Sequence, residues 1–157
     1  MIEPDMATMI ALIFTDADVS QPDLDTAFRA VVRDTFNSLS IDTDTSTSDT
    51  AAILANAAAG AVDVQEFTDA LSAVCTSLTR QLARDGEGAS KLLLVDVTGA
   101  RDDEQARRVA KLVVNSPLVK TAVHGADPNW GRVAMAVGKA GDDHDIDPDR
   151  VRICFGE

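Results

Sequence analysis

Residues 9–14 read MIALIF, an unbroken apolar run closed by Asp16. A helix needs about ten residues or more, and this run has the length and β-branched content of a buried strand. The next signal, SQPD at 20–23, is a helix start: Ser20 is placed to cap, with acids in the first turn. Leu24, Phe28, Val31, Val32 and Phe36 then recur at helical spacing. Outward from this strand–helix pair, SLSI (38–41) reads as a strand, followed by a polar run over 42–50 and a small apolar stretch ending at Gly60. Residues 62–84 carry a second amphipathic stripe through Phe67, Leu71, Val74, Cys75 and Leu78. Beyond a glycine-rich loop, 91–98 predicts a strand and 102–114 a helix stopped by Asn115-Ser-Pro117. Residues 119–123 predict a strand, 124–131 a polar loop, 132–139 a short helix and 151–155 a last strand. Nothing repeats and no linker divides the chain, so helices and strands without strict alternation predict an α+β layered fold.

The 157 residues are 45% hydrophobic and 25% charged, ordinary values for a chain that folds around a core. The net charge is −12, and residues 1–100 alone hold 5 basic and 16 acidic side chains, a net of −11. Such a surface repels phosphate backbones and anionic lipid, which argues against nucleic acid or a membrane as partner. It keeps a protein soluble, and it also attracts cations. Cys75 and Cys154, the only cysteines, make neither a disulfide framework nor a zinc site. With no basic segment ahead of an apolar run, the expected compartment is the cytoplasm.

Three segments invite chemistry. Asp42-Thr-Asp-Thr-Ser-Thr-Ser-Asp49 fails as a calcium loop, because Thr47 stands where glycine is needed and Ile53 where the bidentate glutamate should be. Asp44, Ser46 and Ser48 do match a D-x-S-x-S magnesium pattern, Asp42-x-Asp44-x-Ser46 approximates an aspartate-phosphatase loop, and a plain turn explains the run as well. Asp85-Gly-Glu-Gly-Ala-Ser-Lys91 lacks phosphate-loop spacing. Glycine closing a helix explains most of it, but an acid at a helix C-terminus is disfavoured by the dipole, and Glu87 is placed to pair with an ammonium group. His124-Gly-Ala-Asp-Pro-Asn-Trp-Gly-Arg132 offers His124 with Asp127 as a base and its orienter, or a rigid loop that packs Trp130 and caps the next helix through Asp127 or Asn129. His144, in an Asp-rich turn, reads as exposed.

Together with Met1-Ile-Glu-Pro-Asp-Met-Ala-Thr-Met9 and Val114-Asn-Ser-Pro-Leu-Val-Lys120, these segments resemble, in order and over nearly the whole chain, the ornithine acetyltransferase family. These are the ArgJ-type glutamate N-acetyltransferases of arginine biosynthesis. Self-processing aminopeptidases share the N-terminal-nucleophile logic, but the DPNWGR stretch favours the acetyltransferases.

The resemblance implies a precursor that cleaves itself between Ala7 and Thr8, leaving Thr8 as the catalytic, substrate-binding nucleophile at the head of a β chain. Acetyl passes from N2-acetylornithine to this threonine and then to glutamate, with no cofactor; some members also accept acetyl-CoA as donor. Glu87 matches the family's substrate-contacting glutamate, and no metal is implied. The implied fold is an α/β/β/α sandwich. Residues 1–7 correspond to the end of the α chain and 8–157 to an incomplete β chain, with αβ units pairing as an α2β2 heterotetramer. The family's oxyanion-hole Thr-Gly pair and further substrate contacts correspond to segments outside these residues. Two other readings stay open: a non-catalytic fragment or assembly module, and a magnesium-dependent binding domain using Asp44, Ser46 and Ser48.

Overall fold

The computed structural model describes residues 9–43, 46–86, 88–141 and 145–156. The chain divides into two compact units, Met1–Glu87 and Gly88–Glu157.

In the first unit the order is β1 (Ile10–Asp18), α1 (Gln21–Asp34), a 3-10 turn (Phe36–Ser38), β2 (Thr50–Ala61) and α2 (Val64–Arg84). β1 and β2 pair in parallel, in register from Ile10 opposite Thr50 to Thr15 opposite Ala55. Parallel neighbours need a long crossover, and α1 supplies it. The unit therefore alternates strand and helix strictly, which the sequence reading did not anticipate. The strand expected at 38–41 does not form, and the partner of β1 is the alanine-rich stretch instead. Alanine is depleted in strands, so β2 owes its conformation to pairing with β1 rather than to propensity.

Both helices start on side-chain caps. Ser20 Oγ accepts from the Asp23 N–H at 3.3 Å, and Asp63 Oδ1 accepts from the Gln65 and Glu66 N–H groups at 2.9 and 3.0 Å. Each cap satisfies donors that a helix end leaves open. Their apolar stripes close on one face of the sheet. Ala11 and Ile13 pack with Val31, Phe36, Leu71 and Cys75, and Phe28, Ile53, Phe67 and Leu78 complete the cluster.

Period-two geometry sends the alternate residues of β1 the other way. Ile10, Leu12 and Phe14 are 68, 55 and 71% exposed, and Leu54, opposite Phe14, is 53% exposed. The strand expected to be buried is thus buried on one face only. Its other face is a patch of large apolar side chains.

β2 carries an irregularity. Register resumes with Ala17 opposite Gly60, so residues 56–59 bulge out opposite the single residue Asp16. Asn56 Oδ1 accepts from the Ala58 N–H at 3.0 Å, and Ala57 sits at φ 60°. A Cβ in that left-handed region is strained, and glycine is not. Ala57→Gly is expected to stabilise the chain by about 0.5–1 kcal/mol, the relieved strain outweighing the added unfolded-state entropy. A higher urea midpoint at unchanged slope would show it, and a lower midpoint would refute it.

The second unit contains α3 (Asp103–Val114), α4 (Pro117–His124), α5 (Trp130–Val137) and a 3-10 turn at Pro148–Arg150. Val113, Val119 and Ala136 form its core, with Leu93, Val95, Val123, Val133 and Val137 packed around them. The strand expected at 119–123 is helix α4. Ser116 caps it, accepting from the Val119 N–H, and Pro117 occupies the first turn, where its missing N–H costs nothing. No strand forms at 91–98 or 151–155. Residues 91–98 still alternate, with Leu93 and Val95 inward and Leu94 60% exposed.

Asp102 caps α3 by accepting from the Gln105 N–H at 2.8 Å, and it meets Arg101 at 2.9 Å. The backbone hydrogen bond first, and Arg101 second, hold its carboxyl below the ordinary 3.8. A carboxylate depressed in the folded state stabilises above its unfolded value, and that contribution disappears as pH falls through the folded one. Asp102→Asn keeps a good cap and removes this titration. Amide protection in α3, relative to the intrinsic exchange rate at each pH, should therefore fall less below about pH 4 in the variant than in the parent. An equal fall in both would refute the assignment. Among the described residues, no helix is long and apolar enough to cross a membrane.

Candidate active site

Ala7, Thr8, Asp44, Glu87 and His144 lie outside the described residues. The residues that follow Thr8 and Glu87 are described, and hydrogen bonds hold Met9 after the first and Ser90 and Lys91 after the second.

Met9, immediately before β1, has both backbone groups bonded to one dipeptide. Its N–H donates to Asp49 Oδ1 at 2.8 Å, and its carbonyl accepts from the Thr50 N–H at 2.8 Å. Asp49 is set by the hydroxyl-rich run before it. The Asp49 N–H donates to the Ser46 carbonyl at 3.2 Å, the Ser48 N–H to Ser46 Oγ at 3.2 Å, and Thr50 Oγ1 to the Ser48 carbonyl at 3.1 Å. The end of the polar run is therefore a hydroxyl-stabilised turn that delivers a carboxylate to the head of β1. Ser46 Oγ, one of the three groups in the magnesium pattern, accepts a backbone hydrogen bond inside this turn. Among the described residues no cluster of three His, Cys, Asp or Glu gathers that could hold a metal ion. Asp49 was not singled out from the sequence. Its partner lies 40 residues away, and nothing local announces it.

On the other side of Glu87, Gly88 takes φ 69°, a value suited to glycine. Lys91 Nζ then donates to the Val123 and His124 carbonyls at 2.8 and 3.0 Å, and Ser90 Oγ lies 3.3 Å from His124 Nδ1. A cation on the last carbonyls of a helix satisfies open acceptors and suits the negative end of the dipole. Two adjacent residues thus tie this segment to the C-terminus of α4.

Of the two readings of this loop, the His124–Asp127 pair does not form. The ring of His124 meets Ser90, and Asp127 Oδ2 accepts from Asn129 Nδ2 at 3.0 Å. Asn129 does cap α5, its Oδ1 accepting from the Arg132 N–H at 3.2 Å. Trp130 is not packed away as expected; it is 68% exposed at the start of α5. Arg132 locks the loop by donating to the Leu118 carbonyl and Thr121 Oγ1, both at 2.9 Å. Cys75 is fully buried, as its stripe predicts, and burial pushes its thiol pKa up, away from reactivity.

Comparison with known proteins covers the whole chain. The model of the ArgJ family matches residues 1–157. The chain is 59% identical over 157 residues to a Rhodococcoides fascians protein named arginine biosynthesis bifunctional protein ArgJ, covering 39% of it. It is 62% identical to the glutamate N-acetyltransferase Oat2 of Streptomyces clavuligerus, covering 40% of that protein. Among solved structures it resembles the arginine biosynthesis bifunctional protein ArgJ of Bacillus halodurans, with TM-score 0.82 and 43% identity over 85% of this chain and 66% of that one. The chain spans about two fifths of the length of these curated relatives.

Proposed function

Since this chain belongs to the ArgJ family, whose relatives here carry the name of an N-acetyltransferase, we propose that it is the β-chain portion of a self-cleaving glutamate N-acetyltransferase. Residues 1–7 are the end of the α chain and 8–157 belong to the β chain. The observation that carries this reading is the head of β1. Met9, the residue after Thr8, is fixed by both backbone groups, as a strand that presents a nucleophile requires.

Thr8 Oγ attacks the Ala7 carbonyl, shifting that acyl group from nitrogen to oxygen, and water hydrolyses the ester. The α-amine released has a reference pKa of about 7.7–8.0 and serves as the base that an unactivated hydroxyl needs. Thr8 Oγ then attacks the acetyl carbonyl of N2-acetylornithine. Ornithine leaves with its amine protonated, and the acetyl group stays on Thr8 as an ester. The glutamate amine attacks that ester, giving N-acetylglutamate and restoring the hydroxyl. Glu87 receives the ammonium group of the substrate. No cofactor enters the cycle, and acetyl-CoA is an alternative acetyl donor.

The exposed face of the sheet supports an α-chain partner. Ile10, Leu12, Phe14 and Leu54 are the surface on which a second sheet packs, giving the α/β/β/α layering, and αβ units then pair as α2β2. The same face favours a second reading, in which this piece alone is an inactive assembly module. A two-substrate assay separates the two. This chain, joined to the parts of the R. fascians relative outside the match, is expected to cleave at Ala7–Thr8, to transfer acetyl from N2-acetylornithine to glutamate, and to show a β chain one acetyl group heavier in the absence of glutamate. A chimera that folds and shows none of these refutes the reading.

A further inference from the structure

The run ending at Asp49 remains without a part in this chemistry, and its geometry gives it one. Asp49 Oδ1 accepts from the Met9 N–H at 2.8 Å, while the neighbouring Thr50 N–H bonds the Met9 carbonyl at 2.8 Å. The second bond is an ordinary rung of the parallel ladder. The first is a side chain supplying a further rung where the strand begins. Its turn, closed by Ser46 and Ser48, fixes the backbone that carries this carboxylate.

We propose that Asp49 is a positioning residue for the Thr8 nucleophile, acting through the Met9 N–H. This rests on the assignment of Thr8 made above. Six atoms of a peptide unit are coplanar, so a bond that holds the Met9 N–H also holds the plane containing the carbonyl carbon and Cα of residue 8. A nucleophile must be held to within roughly 0.5 Å, and displacement by about 1 Å costs on the order of 10² in rate. Asp49 is exposed and its bond adds no apolar contact, so its loss touches the strand head and not the core. The acceptor oxygen is what matters, and asparagine supplies one in the same place.

The test uses the chimeric full-length enzyme described above. Asp49→Ala is expected to lower kcat for acetyl transfer about 10²-fold, with KM for N2-acetylornithine and the melting temperature little changed, and to slow self-cleavage. Asp49→Asn is expected to recover most of the lost rate. Asp49→Ala at the parent's kcat overturns the inference. So does Asp49→Asn as slow as Asp49→Ala, which assigns the effect to charge, or a loss of activity that follows a fall in melting temperature. A Thr8→Ala control keeps the two claims apart. If Thr8→Ala is fully active, the assignment of Thr8 fails and this inference with it. If Thr8→Ala is dead while Asp49→Ala is normal, the inference alone fails.

Discussion

Thr8→Ala is expected to leave the full-length enzyme as a single uncleaved chain with no measurable acetyl transfer. The methyl group that replaces the hydroxymethine arm has no oxygen to attack either the Ala7 carbonyl or an acetyl group, so both reactions stop for one reason. Removing a hydroxyl nucleophile from a serine hydrolase costs on the order of 10⁶ in kcat. A loss of that size is expected here, down to the background of the uncatalysed exchange. Denaturing electrophoresis reads the cleavage, and product formation from N2-acetylornithine and glutamate reads the transfer. Thr8→Ser separates chemistry from folding: its hydroxyl keeps both reactions at a reduced rate. An alanine variant that still cleaves at this bond would place the nucleophile elsewhere.

The parts of the fold that local signals decide were legible in the sequence. Ser20 announces a helix start by the spacing from cap oxygen to backbone N–H, and it caps α1 as read. The stripe through Phe67, Leu71, Val74, Cys75 and Leu78 placed α2 and, but for Val74, which is 48% exposed, its buried face, because helical periodicity is a property of one segment. Errors came where a second segment decides. Ala51, Ala52 and Ala55 have no preference for strand, and only pairing with β1 makes them one. Residues 91–98 alternate as a strand should, yet a strand exists only with a hydrogen-bonded neighbour. Val119 and Val123 suggested a strand by composition. Asn115-Ser-Pro117 reads as a stop for α3, but Ser before Pro also begins a helix, and α4 begins there. The site divides in the same way. Thr8 and Glu87 rest on motif resemblance and lie outside the described residues. The hold of Asp49 on Met9 joins residues 40 apart and becomes visible only once β1 and β2 lie side by side.

The two faces of β1 make opposite predictions for neighbouring residues, and the second large effect lies there. Phe14→Glu is expected to leave the folding of this chain by itself nearly unchanged, within about 0.5 kcal/mol, since the ring is 71% exposed and meets mostly water. Ile13→Ala, one residue earlier and only 8% exposed, is expected to cost about 2–4 kcal/mol, because it empties the cluster with Val31, Phe36 and Leu71. In the proposed assembly with the α chain the order is expected to reverse. Phenylalanine buries about 150–250 Å², and most of that is still available at Phe14, so covering it is worth about 3 kcal/mol at roughly 25 cal/mol per Å². Glutamate forfeits this and places an unpaired carboxylate between two sheets, which adds a desolvation cost. The association constant for the α chain should therefore fall at least a hundredfold. Leu54→Glu, directly across the strand pair, should behave the same way. Size-exclusion chromatography and titration of the separately produced chains measure it. If Phe14→Glu assembles as tightly as the parent, the second layer does not pack on this face, and the exposed residues of β1 need another partner.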